Sequence, residues 1–169
     1  DLAAGNARVD DIREVDITDL LGRDAVPPNP KLLEACVAGR SVMVTGAGGS
    51  IGSELCLQIA RLGPKRLVLL DTSEVALYML DQALHDLAHR NSLNVEIVAL
   101  IGSVHHRDRM REVLETYGVE TVYHAAAYKH VPLVEHNMIE GIHNNVFGTL
   151  NTAEAAISAG VKSFVLVST

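Results

Sequence analysis

The sequence that decides the fold is Ser41-Val-Met-Val-Thr-Gly-Ala-Gly-Gly-Ser-Ile-Gly52, in which an apolar run leads directly into a glycine-rich turn. Residues 42–45 favour an extended strand, and the apolar residues after Gly49 recur at the three- and four-residue intervals of a helix. Glycines let the backbone approach a ligand closely, and the first N–H groups of the following helix point at that ligand without intrahelical partners. The stretch therefore predicts a strand, a turn and a helix that together suit a pyrophosphate group.

Three of these glycines, Gly46, Gly49 and Gly52, are spaced at intervals of three residues. A Gly-x-Gly-x-x-Gly pattern that starts at Gly46 would need a glycine at position 51, where the chain has Ile51. Three glycines are also compatible with an ordinary tight turn between a strand and a helix. As a phosphate site, the turn offers five residues to the pyrophosphate: Gly46, Gly49, Ser50, Ile51 and Gly52.

The next predicted strand, residues 66–70, ends in Asp71, which lies near the offset of about 20 residues at which an acidic side chain meets the ribose of a bound dinucleotide. A carboxylate there accepts hydrogen bonds from the 2′- and 3′-hydroxyls and repels a 2′-phosphate. We therefore predict NAD rather than NADP as the cofactor. Asp71 also begins an Asp-Thr-Ser-Glu sequence with capping-box spacing, so it can instead cap the following helix, and the two roles can coexist.

The rest of the chain alternates apolar strands with helical patterns. The predicted strands are 42–45, 66–70, 95–101, 120–126 and 163–168, and the main predicted helices are 50–62, 73–90, 107–117 and 137–159. The strands are continuous apolar runs, as expected when helices cover both faces of a parallel sheet. We predict a doubly wound α/β fold of the Rossmann type with strand order 3-2-1-4-5. Its ligand crevice should lie outside the carboxyl ends of strands 1 and 4.

Small and polar residues follow the predicted strands at this end of the sheet. After strand 3, Ser103 can reach the amino group of an adenine while Val104 lies against the ring. After strand 4, three small residues leave room for a flat ring and its ribose: Ala125, Ala126 and Ala127. On the long helix, Asn145 places an amide beside strands 4 and 5.

Several basic residues need a choice between a functional and a structural role. A surface lysine usually keeps its charge in water, but Lys129 follows the alanines, where a cation suits a diphosphate or a developing enolate, and we treat it as functional. His124, at the apolar end of strand 4, is interpreted as a core histidine rather than a catalyst. His85 and His89 share a helix face without a matching second pair of ligands, so we predict no metal site.

The chain has 169 residues, of which 48% are hydrophobic, which is enough for one domain with a buried core. We expect an acidic lead-in arm and linker over residues 1–29 and an NAD-binding domain over 30–169, opened by a short helix from Asn29 to Gly39. The formal charge of −7 argues against a nucleic-acid partner. No apolar run approaches the roughly 18 residues of a membrane span, so no membrane contact is predicted. Cys36 and Cys56 are interpreted as reduced thiols, which favours a cytoplasmic location.

Four segments carry a resemblance to one family, and they are Thr45–Glu54, Leu69–Glu74, His124–Glu135 and Asn144–Thr149. The sequence resembles the extended short-chain dehydrogenase/reductase branch of bacterial polysaccharide-biosynthesis nucleotide-sugar 4,6-dehydratases, which typically act on UDP-N-acetylglucosamine. The resemblance covers about residues 10–169, and the segment that starts at His124 is its most specific part.

The resemblance implies a mechanism with a tightly held NAD⁺ that serves as a recycling oxidant. Hydride leaves C4 of the hexose, water is lost across C5–C6, and hydride returns to C6. The resemblance also implies that the cofactor contacts Asp71 and Ser73, and that Asn145 orders the active-site side of the long helix. Thr169 matches the hydroxyl that hydrogen-bonds the C4 oxygen, and with Lys129 it forms the predicted catalytic set.

The family continues after a Ser-Thr pair with an Asp-Lys pair, a Tyr-or-Met-x-x-x-Lys helix and a sugar-binding lobe, whereas this sequence ends at Thr169. We therefore expect a domain truncated after strand 5 that binds cofactor and is inactive alone, with strand 5 left as an apolar edge. Two alternatives stay open, a nucleotide-sugar 4-epimerase and a non-catalytic NAD-binding module. The expected partner is a UDP-sugar, homo-oligomers are compatible with the sequence, and longer family members suggest an anchor at the inner face of the bacterial plasma membrane.

Overall fold

The computed structural model describes residues 29–168 of the chain. The predicted N-terminal arm, apart from Asn29, lies outside the described residues, and so does Thr169. The domain boundary at residue 30 therefore stays a prediction. Among the helices of the described part, none is both long enough and apolar enough to cross a membrane.

The described residues form one five-stranded sheet with helices packed on both faces. The strands are β1 (Ser41–Thr45), β2 (Arg66–Asp71), β3 (Glu96–Ile101), β4 (Thr121–His124) and β5 (Ser163–Leu166). The helices are α1 (Pro30–Ala35), α2 (Ser50–Arg61), α3 (Glu74–Asn91), α4 (Arg107–Thr116), α5 (Val131–His136), α6 (Met138–Ile142) and α7 (Thr149–Ser158). A π-helical segment (His143–Gly148) joins α6 to α7.

The sheet is parallel, and its strand order is β3-β2-β1-β4-β5, so the predicted doubly wound topology is confirmed. The direction of winding reverses between β1 and β4. Thr45, the last residue of β1, lies beside Leu70 of β2 on one side and His124 of β4 on the other. The carboxyl ends of these three strands are therefore level, and the connections that leave them start at one edge of the sheet.

Alternate residues of the central strands enter two separate cores, because successive side chains of a strand point to opposite faces. On one face, Val42 and Val44 pack with Leu67 and Leu69 against α2 and α3. On the other face, the core contains Met43, Val68, Leu70 and Val122 together with Met110, Val113, Leu114, Ala155 and Ala156 of α4 and α7. Burial of both sheet faces explains why the strands have no polar alternation. Cys56 lies in the first core, and burial raises the pKa of its thiol far above the usual value.

Two predicted bounds at the carboxyl edge are wrong. The predicted strand 120–126 ends at His124, although the Ala125 N–H still donates to the Thr45 carbonyl at 3.1 Å. The predicted strand 163–168 ends at Leu166. The predicted helix 137–159 is confirmed as α6 and α7, which the π-helical segment joins. The short helix α5 precedes it, with Pro132 in its first turn, and the non-helical backbone of Asn137 (φ −133°, ψ 47°) separates α5 from α6. The three alanines are thus left in a loop at the crevice.

The short N-terminal helix is confirmed at its start and wrong at its end. Asn29 is the N-cap, and its side chain accepts a hydrogen bond from the Lys31 N–H at 3.1 Å. The helix ends at Ala35 and not at Gly39, because the N–H groups of Val37 and Ala38 both donate to the Glu34 carbonyl and close the last turn. This places α1 before the buried strand β1 without entering the crevice.

Candidate functional site

The glycine turn after β1 lies directly against the loop that follows β4. Gly46 has a positive φ of 66°, and a Cβ atom there would come within 2.7 Å of the backbone of Ala125 and Ala126. A Cβ atom at Gly52 would overlap the carbonyl oxygen of Gly46. Both positions therefore require glycine, one for conformation and both for space. The predicted turn is present, and it holds the start of α2 close to the end of β4.

The N-terminus of α2 is available to an anion. Its N-cap is Gly49, and no side chain caps the helix in the described structure. The first turn contains no acidic residue. The N–H groups at the start of a helix carry partial positive charge and lack intrahelical partners. Ser50, Ile51 and Gly52 provide this first turn, which faces the crevice.

The crevice has two compartments, one on each side of the glycine turn. The smaller, of about 170 Å³, is lined by Gly46, Gly49, Leu70, Asp71, Thr72, Gly102, Ser103, Val104, His105, Ala125, Ala126, Ala127, Tyr128 and Asn144. The larger, of about 460 Å³, is lined by Gly49, Ser50, Ile51, Gly52, His124, Ala125, Ala127, Tyr128, Lys129, Asn145, Thr149, Leu166, Val167 and Ser168. Gly49 and the loop after β4 belong to both. The shape suits a ligand with two bulky halves and an anionic centre that rests on the helix terminus.

Asp71 is fixed at the end of β2 by two backbone donors. Its Oδ2 accepts a hydrogen bond from the Gly48 N–H at 2.8 Å, and its Oδ1 accepts one from the Ser73 N–H at 2.8 Å. The alternative that Asp71 caps α3 is wrong, because Ser73 is the N-cap and its hydroxyl accepts from the Ala76 N–H at 3.3 Å. Ser73 therefore has a structural role beside any contact with a cofactor. The Asp71 carboxylate is oriented at the wall of the smaller compartment.

Ser103 and Val104 line the same compartment after β3. The Ser103 hydroxyl accepts a hydrogen bond from the His105 N–H at 3.2 Å, which fixes the turn into α4. Val104 is only 3% exposed and packs in the core beside Gly148, where a Cβ atom would lie 2.7 Å from its Cγ2. Val104 thus supplies an edge of the compartment wall rather than an open platform.

The loop after β4 is fixed by Asn145. The Asn145 Oδ1 accepts from the Tyr128 N–H at 2.8 Å, and its Nδ2 donates to the Tyr128 carbonyl at 2.9 Å. This amide therefore satisfies both polar groups of one residue of the loop. Lys129, the next residue, extends back over the glycine turn, and its Nζ donates to the Ser50 hydroxyl at 3.1 Å. The structure brings Lys129, Asn145 and the α2 terminus together around the larger compartment.

Sequence reasoning missed Asn144, which belongs to the smaller compartment. Its side chain is buried, with 8% of the residue exposed, and its Nδ2 donates to the Ala126 carbonyl at 3.3 Å. Its Oδ1 lies 3.2 Å from the His105 Nε2. Consecutive residues of the wide π-helical turn, Asn144 and Asn145, thus serve the two compartments, and such turns are frequent at functional sites. The Asn-Asn doublet was the available sequence signal. Tyr128 and Thr149 were also missed.

His124 is a buried core histidine, as predicted, and only 2% of it is exposed. Its Nδ1 lies 2.8 Å from the Thr45 hydroxyl, and its Nε2 lies 3.0 Å from the Thr149 hydroxyl. Burial disfavours the imidazolium form and lowers the pKa of His124 to about 4. The imidazole is therefore neutral at physiological pH and joins β1, β4 and α7.

The remaining predicted site residues are distributed as follows. Thr169 lies outside the described residues, so its predicted contact stays a prediction. Over residues 29–168, no group of three or more His, Cys, Asp or Glu side chains could hold a metal ion. His85 lies on the surface of α3, where its Nδ1 is 2.9 Å from the Asp81 carbonyl oxygen.

The doubly wound sheet, the glycine turn after its first strand and the carboxylate that ends its second strand define a Rossmann-type domain of the extended short-chain dehydrogenase/reductase class. The sequence profile of the polysaccharide biosynthesis protein family matches residues 42–169. The chain therefore belongs to this family, and the predicted resemblance is confirmed.

The relatives include proteins with different activities. The chain is 40% identical over 169 residues to the capsular polysaccharide biosynthesis protein CapD of Staphylococcus aureus, a match that covers 100% of this chain and 28% of that protein. It is 29% identical over 132 residues to a UDP-N-acetylglucosamine 4,6-dehydratase (inverting) of Campylobacter jejuni, covering 78% and 36%. It is 32% identical over 127 residues to a UDP-glucose 4-epimerase of Klebsiella pneumoniae, covering 75% and 87%.

Solved structures with the same fold match about three quarters of the chain. Pen from Bacillus thuringiensis has a TM-score of 0.66 and 29% identity, and the match covers 77% of this chain and 37% of that one. MoeE5, solved in complex with UDP-glucuronic acid and NAD, has a TM-score of 0.60 and 25% identity, covering 76% and 36%. The chain thus spans little more than a third of these proteins and 28% of CapD.

Proposed function

We propose that the chain is the NAD-binding part of a UDP-N-acetylglucosamine 4,6-dehydratase in the synthesis of a surface polysaccharide. The observation that carries the proposal is the two-compartment crevice around the uncapped start of α2, with Asp71 fixed at one end and Lys129 at the other. The relationship to CapD and to a UDP-N-acetylglucosamine 4,6-dehydratase supports it. The whole activity is proposed for the gene product that contains this chain.

The residues present fit NAD. The missing Cβ atoms of Gly46 and Gly52 leave a cradle, and Gly49, Ser50 and Ile51 supply donors for the pyrophosphate. The Asp71 carboxylate, already held by the Gly48 N–H, keeps acceptor capacity for the two hydroxyls of the adenosine ribose. A 2′-phosphate would place a second negative charge beside this carboxylate, so we propose NAD and not NADP.

The adenine and nicotinamide halves are assigned by the residues that line each compartment. Ser103 and Val104 would border the adenine in the smaller compartment. The nicotinamide half would occupy the larger compartment, where the small side chains of Ala125 and Ala127 leave space beside Asn145. Ala126 lines only the smaller compartment. Ser73, which caps α3, would stand beside the adenosine ribose.

When bound, NAD⁺ would accept the C4 hydride of the sugar and return it to C6. The chain's own residues would orient the reactants and handle protons. Lys129 places an ammonium group at the mouth of the larger compartment, 3.1 Å from the Ser50 hydroxyl, where it can stabilise negative charge on a ketone or enolate oxygen. Thr169 is proposed to hydrogen-bond the C4 oxygen. The elimination step needs acid and base groups besides these.

A 4-epimerase is the second candidate, because the similarity to UDP-glucose 4-epimerase of Klebsiella pneumoniae is of the same order. The two reactions share the first oxidation at C4 and differ in whether water is lost. Residues after Thr169 would separate them, since an Asp-Lys pair favours dehydration. A non-catalytic NAD-binding module would bind the dinucleotide and turn over neither sugar.

The test is incubation of the gene product that contains this chain with UDP-N-acetylglucosamine, followed by mass spectrometry. Loss of one water from the nucleotide sugar is the expected result. An unchanged mass with an inverted C4 centre by NMR would favour the epimerase, and neither change in a protein that binds NAD would favour the module. The cytoplasmic location, the membrane anchor and the homo-oligomer stay predictions.

A further inference from the structure

The crevice floor contains a chain of hydrogen bonds, buried between Thr45 and His124 and partly buried beyond, that the proposed chemistry does not use. It runs from Thr45 through His124 and Thr149 to Asn145, and so from the end of β1 to the loop after β4. The Asn145 side chain continues it to the Tyr128 backbone. The segments joined in this way border the larger compartment, which His124, Asn145 and Thr149 line.

The position of each proton in this chain follows from the acceptors. The Thr149 hydroxyl lies 2.7 Å from the Asn145 carbonyl oxygen, which can only accept, so the hydroxyl donates there. The Thr149 oxygen is then left to accept from the His124 Nε2 at 3.0 Å. A neutral imidazole with its proton on Nε2 has a bare Nδ1, which accepts from the Thr45 hydroxyl at 2.8 Å. The direction of every bond is thereby fixed.

We propose that His124 is a positioning residue for the nicotinamide half of the bound dinucleotide, acting as a neutral Nε2–H imidazole through Thr149 and Asn145. The proposal rests on the proposed function, because it assigns the larger compartment to that half. His124 itself has almost no exposed surface, and its ring stacks on Phe164 at 5.9 Å between centroids. It therefore acts by holding Thr149, whose other bond fixes the backbone of the π-helical segment.

The tautomer is tested first, without any ligand. In the chain labelled with [¹⁵N]histidine, the side-chain signals of His124 are those absent from the spectrum of His124→Gln. We expect a protonated, pyrrole-type Nε2 and an unprotonated, pyridine-type Nδ1 at neutral pH. In Thr149→Val the Nε2 proton loses its acceptor, and the Nε2 signal should move while the chain stays folded. A protonated Nδ1 in the unmutated chain would overturn the proposal.

The positioning role is tested by comparing NAD with ADP, which contains the adenosine and pyrophosphate but no nicotinamide half. Thr149→Val should weaken NAD binding by about tenfold, the loss expected for one hydrogen bond, and leave ADP binding within about twofold. Thr149→Ser keeps the hydroxyl and should restore the NAD affinity. Isothermal titration calorimetry gives both dissociation constants on the same samples.

A matched control is available on the same helix. The Thr152 hydroxyl makes the same kind of bond to the carbonyl four residues earlier, that of Gly148 at 2.8 Å, but Thr152 is fully buried and lines neither compartment. Thr152→Val should therefore leave the ratio of NAD to ADP affinity unchanged. The double variant His124→Asn/Thr149→Val should lose no more NAD affinity than the weaker-binding single variant, because both residues act through one path.

The outcomes separate this inference from the proposed function. If the unmutated chain binds neither NAD nor ADP, the proposed function fails. If it binds both and Thr149→Val weakens them equally, or weakens neither, the positioning role of His124 is refuted while the cofactor assignment stands. Additive losses in the double variant would also refute it.

Discussion

Gly48→Ala should weaken NAD binding indirectly, because the added methyl group would displace the carboxylate of Asp71. A Cβ atom at Gly48 would lie 2.7 Å from the Ala76 Cβ and 3.2 Å from the Asp71 carboxyl group, whereas ordinary contacts begin at 3.4 Å. The glycine turn and the start of α3 must therefore separate. The hydrogen bond from the Gly48 N–H to Asp71 Oδ2, which is 2.8 Å long, would lengthen when the glycine turn moves away.

The magnitude follows from the kind of bond that is lost. A hydrogen bond to a charged group contributes about 1.5–3 kcal/mol, which corresponds to roughly 10- to 150-fold in a dissociation constant. Without the Gly48 donor, only the Ser73 N–H holds the Asp71 carboxylate, which must then be reoriented when the ribose binds, so most of this loss should appear in the affinity for NAD. NADP, whose 2′-phosphate the carboxylate repels, should lose less. The preference for NAD over NADP should therefore fall.

The assay is calorimetric titration of each variant with NAD and with NADP. Ala76→Gly removes the shorter of the two contacts, so Gly48→Ala/Ala76→Gly should recover most of the NAD affinity. Ala76→Gly alone is the control, because it lowers helix stability by about 1 kcal/mol without touching Asp71. A folded Gly48→Ala chain with unchanged NAD affinity, or a double variant that recovers none of it, would refute the reasoning.

Three further predictions concern single side chains. Asp71→Ala removes the acceptor for the ribose hydroxyls and should weaken NAD binding by at least about tenfold, with little change in NADP binding. Equal affinity of the unmutated chain for the two dinucleotides would contradict the assignment of Asp71 to the ribose. Lys129→Ala should abolish sugar turnover by the gene product, while the affinity for NAD should change by less than about threefold because only one exposed hydrogen bond is lost. Lys65→Ala, at another exposed lysine, is the control. Unchanged kinetics of Lys129→Ala would make Lys129 an ordinary surface lysine. Burial lowers the pKa of His124 to about 4, whereas the same imidazole in the unfolded chain takes up a proton near pH 6.5. The contribution of neutral His124 to the free energy of unfolding should therefore be complete above pH 6.5 and fall by about 3 kcal/mol as the pH decreases to 4. Denaturant unfolding of the unmutated chain and His124→Gln should show the stability difference narrowing over that interval, and a constant difference would count against a neutral buried imidazole.

The strand order could be predicted because each central strand is a short apolar run bounded by a helix and a turn. Val42, Met43 and Val44 are all apolar, so neither face of this strand has polar side chains for solvent. Such a run indicates a buried strand of a parallel sheet. The end of β4 could not be predicted in the same way. Ala125 and Ala126 continue the apolar run, but their small side chains leave space at the crevice instead of filling a core. Hydrophobicity alone does not separate those two uses of alanine.

The contacts that complete the site depend on long-range pairs. The bond of Lys129 to Ser50 joins residues 79 positions apart, and the bond of Thr45 to His124 spans the same separation. Both exist because β1 and β4 are neighbours in the sheet, so they become predictable only after the topology is known. The local motif around Gly46 indicated the kind of ligand, whereas the sheet order determines which distant side chains reach it.

The π-helical segment shows where local propensity fails. A regular helix through His143–Gly148 was expected, since the sequence contains neither proline nor a capping signal there. The wider turn is consistent with the bonds its side chains make elsewhere: Asn144 is held by Ala126 and His105, and Asn145 by both polar groups of Tyr128. Each of these partners lies at the crevice. The distortion of the helix is thus located where two consecutive amides must reach opposite compartments, which is a requirement of the site and not of the helix.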